Sequence, residues 1–322
     1  MIRIAIIGLG LIGASLGMAL RNADPKESPL GPVEVIGFDR DPRVIREARG
    51  RLAIDREARA LAEAVREAQI VVVATPVRAM QEVFRELAAL LPAGVVVTDV
   101  ASTKAQVCRW AAELLPPTVS FVGGHPMAGR EKSGPAAADP NLFREAIYCL
   151  TAANDTAPPA IEAIEALVRA VGAKPYYIDP EEHDAYVAGI SHLPLLLSVG
   201  LVTATGSSPA WKEMAPLAAT GFRDVSRLAS GNPQMQRDIL LTNPHGLTRW
   251  IDELIRFLVT ARDQINAGDA TAIEQMLQQA KATRDAWLDS KPHLRPGEAD
   301  FAAMPTVERP SLLGFRLPKR EK

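Results

Sequence analysis

The sequence predicts an α/β fold, a doubly wound parallel sheet followed by an all-helical domain. Up to about residue 178, short β-branched runs alternate with helical patterns. Those runs are continuously apolar rather than alternating, as expected of strands buried on both faces. After Asp179-Pro180 convincing strands stop and long helical patterns take over.

IRIAIIG, VEVIGF, IVVVAT, VVVTDV and SFVGG are expected as parallel strands, with REARALAEAVREA and STKAQVCRWAAELL among the helices between them. AIYCLT and KPYYID read as two further strands flanking a helix over residues 158–171. In the second half the helices break at Gly206-Ser207-Ser208-Pro209, Gly231-Asn232-Pro233, Asn243-Pro244 and Gly268-Asp269. A polar cap followed by Pro at the first helical position marks such restarts. The expected organisation is a first domain over 1–178, a helical domain over 179–290 and a Pro-rich tail over 291–322.

A chain of 322 residues, 48% apolar, can bury one large or two ordinary cores. Its net charge of -2 gives no sign of a nucleic-acid surface or a polybasic membrane patch. Two cysteines, Cys108 and Cys149, do not make a disulfide scaffold, and no Cys/His spacing of a metal site is present. The apolar N-terminus fits a strand-turn-helix, and no small-residue cleavage site follows it cleanly. The run AYVAGISHLPLLLSVGLVTA, 185–204, matches the ~20 residues of a membrane span, but carries His192 and Pro194 at its centre. A helix apolar all round is also what a buried core or interface helix looks like. The expectation is a buried helix in a soluble, cytoplasmic, reduced protein.

GLGLIG places Gly8, Gly10 and Gly13 directly after the first strand, as G-x-G-x-x-G opening a helix. In that context the motif is a dinucleotide fingerprint of a Rossmann-type domain. Gly8 permits the tight turn, Gly10 lets a pyrophosphate approach, and Gly13 allows close helix–strand packing. Leu11 and Ile12 open the helix whose free N–H groups face the phosphate. Asp39 ends the second strand, somewhat beyond the usual ~20-residue offset, with ADPKESPLGP as a loop insertion that absorbs the excess. A carboxylate there accepts from ribose hydroxyls and opposes a 2′-phosphate, which favours NAD. Arg40 beside it leaves NADP open, since an arginine accommodates that phosphate. Ala74, Thr75 and Pro76 end the third strand, where such a sheet meets its ligand, although a plain strand stop reads the same way.

TDVASTK brings Ser102 to the next strand end, as an N-cap or as a polar group in the crevice. GGHPMAGREKSG then places His125 in a loop after the following strand, beside the same crevice. Two polar side chains converging on one site point to chemistry.

Taken in order, GLGLIG, ATP, DVASTK, GGHPMAGREKSG, EEHDAYVAGISHLP and GFRDVSRLASGNPQM run along roughly residues 1–290. In these motifs the chain resembles the prephenate/arogenate dehydrogenase family of tyrosine biosynthesis. The resemblance implies an NAD-dependent oxidative decarboxylation of prephenate to 4-hydroxyphenylpyruvate, or of arogenate to tyrosine. Hydride leaves C4 of the substrate ring, a base takes the hydroxyl proton, and loss of carbon dioxide aromatises the ring. His125 matches the family's catalytic histidine, and an imidazole titrating near neutrality suits that transfer. Ser102 matches the serine that hydrogen-bonds the same hydroxyl and orients the histidine. Arg227 matches the substrate clamp, with Asp224 and Glu131 as ionic partners gating the site. Forked donors suit a carboxylate. His192 is either a core histidine or, through SHLP, a substrate-site residue. Arg223 reads as a surface ion-pair partner and His183 as capping or structural. The resemblance also implies a homodimer through the helical domain.

Two positions depart from the family pattern. Leu195 stands where many relatives have a second histidine, and Gln236 where many have an aromatic. Both look onto the substrate side chain in the family, so the choice between prephenate and arogenate stays open. A β-hydroxy-acid dehydrogenase would call for a catalytic lysine on a helix of the second domain, and none falls inside these motifs. A dinucleotide sensor without chemistry would not need His125, Ser102 and Arg227 together.

Overall fold

The computed structural model describes residues 1–290 with the exception of Glu131. Glu131 and the expected tail over 291–322 therefore lie outside the described residues. The chain forms two compact units, Met1–Leu247 and the part from Thr248 onward.

The first unit opens with β1 (Ile2–Ile7), α1 (Leu11–Asn22), β2 (Val33–Phe38), α2 (Pro42–Gly50), β3 (Arg56–Glu57) and α3 (Leu61–Val65). It continues through β4 (Ile70–Val73), α4 (Val77–Ala88), β5 (Val96–Asp99), α5 (Ala105–Leu114) and β6 (Ser120–Pro126). Next come β7 (Ile147–Ala152), α6 (Pro158–Ala170) and β8 (Lys174–Tyr177). All eight strands join one sheet in the order β3-β2-β1-β4-β5-β6-β7-β8. β1 to β6 run parallel, but β7 pairs antiparallel with β6, and β8 parallel with β7. The sheet is thus mostly rather than wholly parallel. No crossover α-helix separates β6 from β7, and an antiparallel neighbour requires none. The expected helix over 56–68 shrinks to α3, because Arg56 and Glu57 pair as a short edge strand with β2.

Two apolar layers cover the sheet. Leu16 and Leu20 of α1 join Ile164 and Leu167 of α6 in one of them. Met80 and Phe84 of α4 join Val107 and Ala111 of α5 in the other. Strands buried on both faces explain the continuous apolar runs.

Helices follow: α7 (Pro180–Val187), a π-turn at Ala188–His192, and α8 (Leu193–Gly206). Asp179 caps α7 by accepting from the N–H groups of Glu181 and Glu182. From Pro180 to Gly206 the helix is continuous and, by length and composition, apolar enough to cross a membrane. Only 28% of its most apolar window is buried, against the expectation of a buried helix; Ile190 and Leu197 face outward. Polar groups on this helix nevertheless point into the protein, among them His183, Asp184 and His192. The unit ends with α9 (Trp211–Met214), α10 (Thr220–Ser226), α11 (Pro233–Thr242) and the first turn of α12 (Pro244–Ala267). Asn232 caps α11 through the Met235 N–H. The second unit holds the rest of α12 and α13 (Ala270–Asp289), capped by Asp269.

Candidate active site

Strand order reverses between β1 and β4, and open α/β sheets bind ligands outside the carboxyl ends of strands at such a point. Gly8 follows β1 with φ +96, and a Cβ there would stand 2.7 Å from the Ala74 carbonyl carbon. Only glycine fits both the dihedral and the approach. Nothing lies within 4 Å of where a Gly10 Cβ would be, so the start of α1 opens onto free space. The first N–H groups of a helix have no intrahelical partner and attract phosphate.

A lobe of about 280 Å³ beside this turn is lined by Gly8, Asp39, Arg40, Val83 and Glu86, among others. The Asp39 carboxylate is fixed at its edge. One oxygen accepts from the Leu9 N–H and the other from the Asp41 N–H, both at 2.9 Å. Arg40 reaches across to Glu86 at 2.6 Å. A second lobe of about 350 Å³ runs from Gly10, Leu11 and Ile12 past Ser102 to His125. Gly10, Ala74, Thr75 and Pro76 line both lobes. Thr75 Oγ1 is buried with no hydrogen-bond partner among the described residues, ready for a ligand atom. These features fit an extended dinucleotide.

At the far end of the cleft His125 stands inside β6, opposite Cys149 of β7, and not in a loop. Pairing with β7 extends the strand through Gly123 and Gly124 to Pro126. A Cβ on Gly124 would stand 2.5 Å from the Asp99 carbonyl oxygen and 2.9 Å from the Tyr148 ring, so glycine lets the strands close up here. Lys104, fully buried, pairs with the Asp99 carboxylate and donates to the Gly124 carbonyl at 2.6 Å. Asp99 also accepts from the Gly124 N–H at 3.0 Å. The residue preceding the histidine is thereby clamped on both sides.

His125 Nδ1 lies 2.9 Å from His183 Nε2, and His183 Nδ1 lies 2.8 Å from Asp184 Oδ1. Asp184 also accepts from the N–H groups of Lys104, at 2.7 Å, and Ala105, at 3.0 Å, the opening of α5. Ser102 lies before α5 and lines the cleft; no side-chain cap bonds the start of that helix, because Asp184 takes its donors. A carboxylate is acceptor-only, so His183 carries its proton on Nδ1 and offers Nε2 to His125. His125 then holds its proton on Nδ1 and keeps the Nε2 lone pair. Burial, reinforced by His183, Lys104 and His192, holds the His125 pKa well below the usual imidazole value. An imidazole titrating near neutrality was the expectation; desolvation instead keeps this one neutral, in its proton-accepting form, and makes it a weaker base.

The first half, residues 18–177, matches the family model described as prephenate dehydrogenase, nucleotide-binding domain. Residues 179–279 match the model described as prephenate dehydrogenase, dimerization domain. The chain belongs to the prephenate dehydrogenase family. It is 37% identical over 287 residues to the prephenate dehydrogenase of Bacillus subtilis, covering 88% of this chain and 75% of that one. It is 32% identical to the cyclohexadienyl dehydrogenase of Zymomonas mobilis, covering 91% of this chain and 98% of that one. Among solved structures, it superposes with a TM-score of 0.80 on prephenate dehydrogenase from Aquifex aeolicus in complex with hydroxyphenyl propionate and NAD+. That pair is 27% identical, with 89% of this chain and 98% of that chain covered. Synechocystis arogenate dehydrogenase gives a TM-score of 0.74 at 31% identity, with 89% and 100% covered.

Within this family member the remaining predicted residues fall into two groups. Gly10, Leu11, Ile12, Ala74, Thr75, Pro76, Ser102 and His125 line one cleft, with Asp39 and Arg40 in the adjoining lobe. The single chain does not bring Arg227, Asp224, Gln236 or His192 into the lining of that cleft. Arg227 is exposed in the 3-10 turn after α10, and Asp224 pairs with Arg223 at 3.0 Å on the surface. Gln236 donates to the Leu228 carbonyl and lines an apolar groove with Leu195 and Leu196. His192 is buried, 3.3 Å from Asn243 Nδ2, with its Nε2 unpartnered among the described residues. No group of three His, Cys, Asp or Glu suited to a metal occurs among the described residues. Sequence reasoning missed His183, Asp184, Lys104 and Glu86. The first two follow Glu181 and Glu182 in the polar opening of α7, where a capping role is the ordinary reading and gives no catalytic signal.

Proposed function

We propose that this protein catalyses the NAD-dependent oxidative decarboxylation of prephenate to 4-hydroxyphenylpyruvate. The observation that carries the reading is a single cleft joining the glycine turn to Ser102 and to a buried His125 backed by His183 and Asp184. When bound, NAD supplies the acceptor for the hydride that leaves C4. Gly10 and the opening of α1 hold its phosphates, Asp39 its ribose, and Thr75 a polar atom between the lobes. Ser102 bonds the C4 hydroxyl. His125 Nε2 takes the hydroxyl proton, and the electron pair forms the carbonyl as hydride departs. Cleavage of the C1–carboxylate bond releases carbon dioxide and returns an electron pair to that oxygen, to which His125 gives the proton back as phenol. His183 and Asp184 hold the imidazole in one tautomer through both transfers.

Arg227 is the proposed carboxylate clamp, Asp224 and Glu131 are its proposed ionic partners by the family pattern, and His192 and Gln236 are assigned to the same substrate end. The proposed domain division is 1–178 and 179–290, in a homodimer formed through the helical part. That helix carries His183, Asp184 and His192 hydrogen-bonded to other elements, which favours a protein interface over a lipid one. A cytoplasmic setting completes the proposal, and Cys108 and Cys149 are free thiols in the structure. Arogenate is the second substrate reading, because Leu195 and Gln236 depart from the family pattern and leave the choice between the two substrates open.

NADH absorbance with prephenate, then with arogenate, tests the proposal. Production with prephenate is expected. Silence with both would overturn it, and arogenate-only activity would transfer the assignment to the second substrate.

A further inference from the structure

Asp39 explains why a 2′-phosphate is unwelcome, yet three arginines surround it. Arg40, Arg46 and Arg59 line a hollow with Asp39 and Glu57, and arginine forks bind phosphate well. Glu57 is paired with Arg49 at 3.2 Å. A carboxylate and three arginines therefore share one hollow, and Arg40 also lines the neighbouring lobe.

Across the cleft stands Glu86, on the exposed side of α4. It lines the same lobe as Asp39, and its Oε1 lies 2.6 Å from an Arg40 terminal nitrogen. Arg40 is the arginine that lines both the lobe and the hollow. Both members of the pair keep about half their side-chain surface in water, 65% and 42%. An ion pair this exposed adds little to stability. Its effect is on the ligand instead. Glu86 engages one terminal nitrogen of Arg40 and adds a second negative charge to the lobe.

We propose that Glu86 is a specificity residue for the cofactor, withholding Arg40 from a 2′-phosphate and so enforcing NAD over NADP together with Asp39. The inference rests on the cleft taking a dinucleotide, as in the function proposed above. Replacing Glu86 by Gln removes the charge and releases the guanidinium at nearly constant size. Phosphate affinity at this position then rises through Arg40.

The test is calorimetric binding of AMP and of 2′,5′-ADP to the parent, Glu86→Gln, Arg40→Gln and the double variant. Nucleotide fragments report the adenosine lobe without any turnover. Glu86→Gln is expected to shift the affinity ratio toward 2′,5′-ADP on the order of tenfold, the size of one screened charge interaction at a part-exposed site. The double variant should return to the parent ratio. An unmoved ratio in Glu86→Gln would overturn the proposal, and so would a gain that persists without Arg40, since Arg46 or Arg59 would then account for it. A parent that bound neither fragment would remove the dinucleotide reading itself, whereas a selective parent with no prephenate activity would leave the Glu86 inference standing.

Discussion

His125 and His183 meet ring nitrogen to ring nitrogen, Nδ1 to Nε2 at 2.9 Å, with Asp184 on the far side of His183. The chain of donors fixes which nitrogen of His125 keeps a lone pair. Asp184→Asn offers an amide in place of the carboxylate and frees both tautomers of His183. Turnover is expected to fall on the order of 10²–10⁴-fold, the scale of general-base catalysis, while NAD affinity persists. Because Asp184 also receives two N–H groups of α5, stability should drop by about 1 kcal/mol, as for a lost cap. Single-turnover rates alongside thermal melting separate the two effects. A rate within a few-fold of the parent would show that the relay does not serve the base.

Stability should decline on acidification before carboxylates protonate. Burial pushes the His192 pKa down to about 4 in the folded state, partly opposed by Asp184, and lowers His125 in the same direction. A base with a depressed folded pKa binds protons more readily when unfolded, so stability rises with pH. It is complete above about pH 6.5 and is lost progressively as pH falls toward 4. His192 alone contributes about 3 kcal/mol over that window. Urea midpoints at pH 7.5, 6 and 5 check this, and His192→Gln should flatten the slope. Equal parent midpoints across the series would contradict it.

Leu196 lies in a groove with Leu195, Val199, Leu240 and Leu241 on the incompletely covered apolar helix. A large aliphatic side chain contributes about 1.5–3 kcal/mol when fully buried, counted twice in a symmetric dimer. Leu196→Asp should yield monomer or aggregate by light scattering. A soluble dimer of native size would show that this face is not the interface.

Arg227→Ala should act on substrate rather than cofactor. Losing hydrogen bonds to a charged substrate carboxylate costs on the order of 1.5–3 kcal/mol, so KM for prephenate should rise with NAD affinity kept. A matching loss of NAD binding would assign Arg227 to the fold.

The sheet was readable because burial on both faces leaves continuous apolar runs, and GLGLIG because Gly8 and Gly13 sit where side chains would collide. β3 was not, since a two-residue edge strand inside REARALAEAV carries a helical pattern. His125 was legible from its motif, but its strand setting was not. Flanking Gly and Pro look like a loop, and only the register with β7 shows the pairing. Its partner His183 is 58 residues away, beside Glu182 at a helix start, where capping is the ordinary reading. Arg40 raised the question of NADP, and its answer, Glu86, lies 46 residues on, on another element.

The central claim is that His125 accepts the substrate proton. It is tested most directly by stopped-flow NADH formation from prephenate as a function of pH, in the parent and in His125→Asn. The parent should form NADH with a rate that holds through the ordinary imidazole range and falls only at lower pH, because burial lowers the titration of this imidazole. His125→Asn should bind NAD but lose turnover by about 10²–10⁴-fold, and the acid limb should vanish with the imidazole. Retained turnover with an unchanged acid limb would contradict the account and place the base elsewhere, with His192 the next residue to replace.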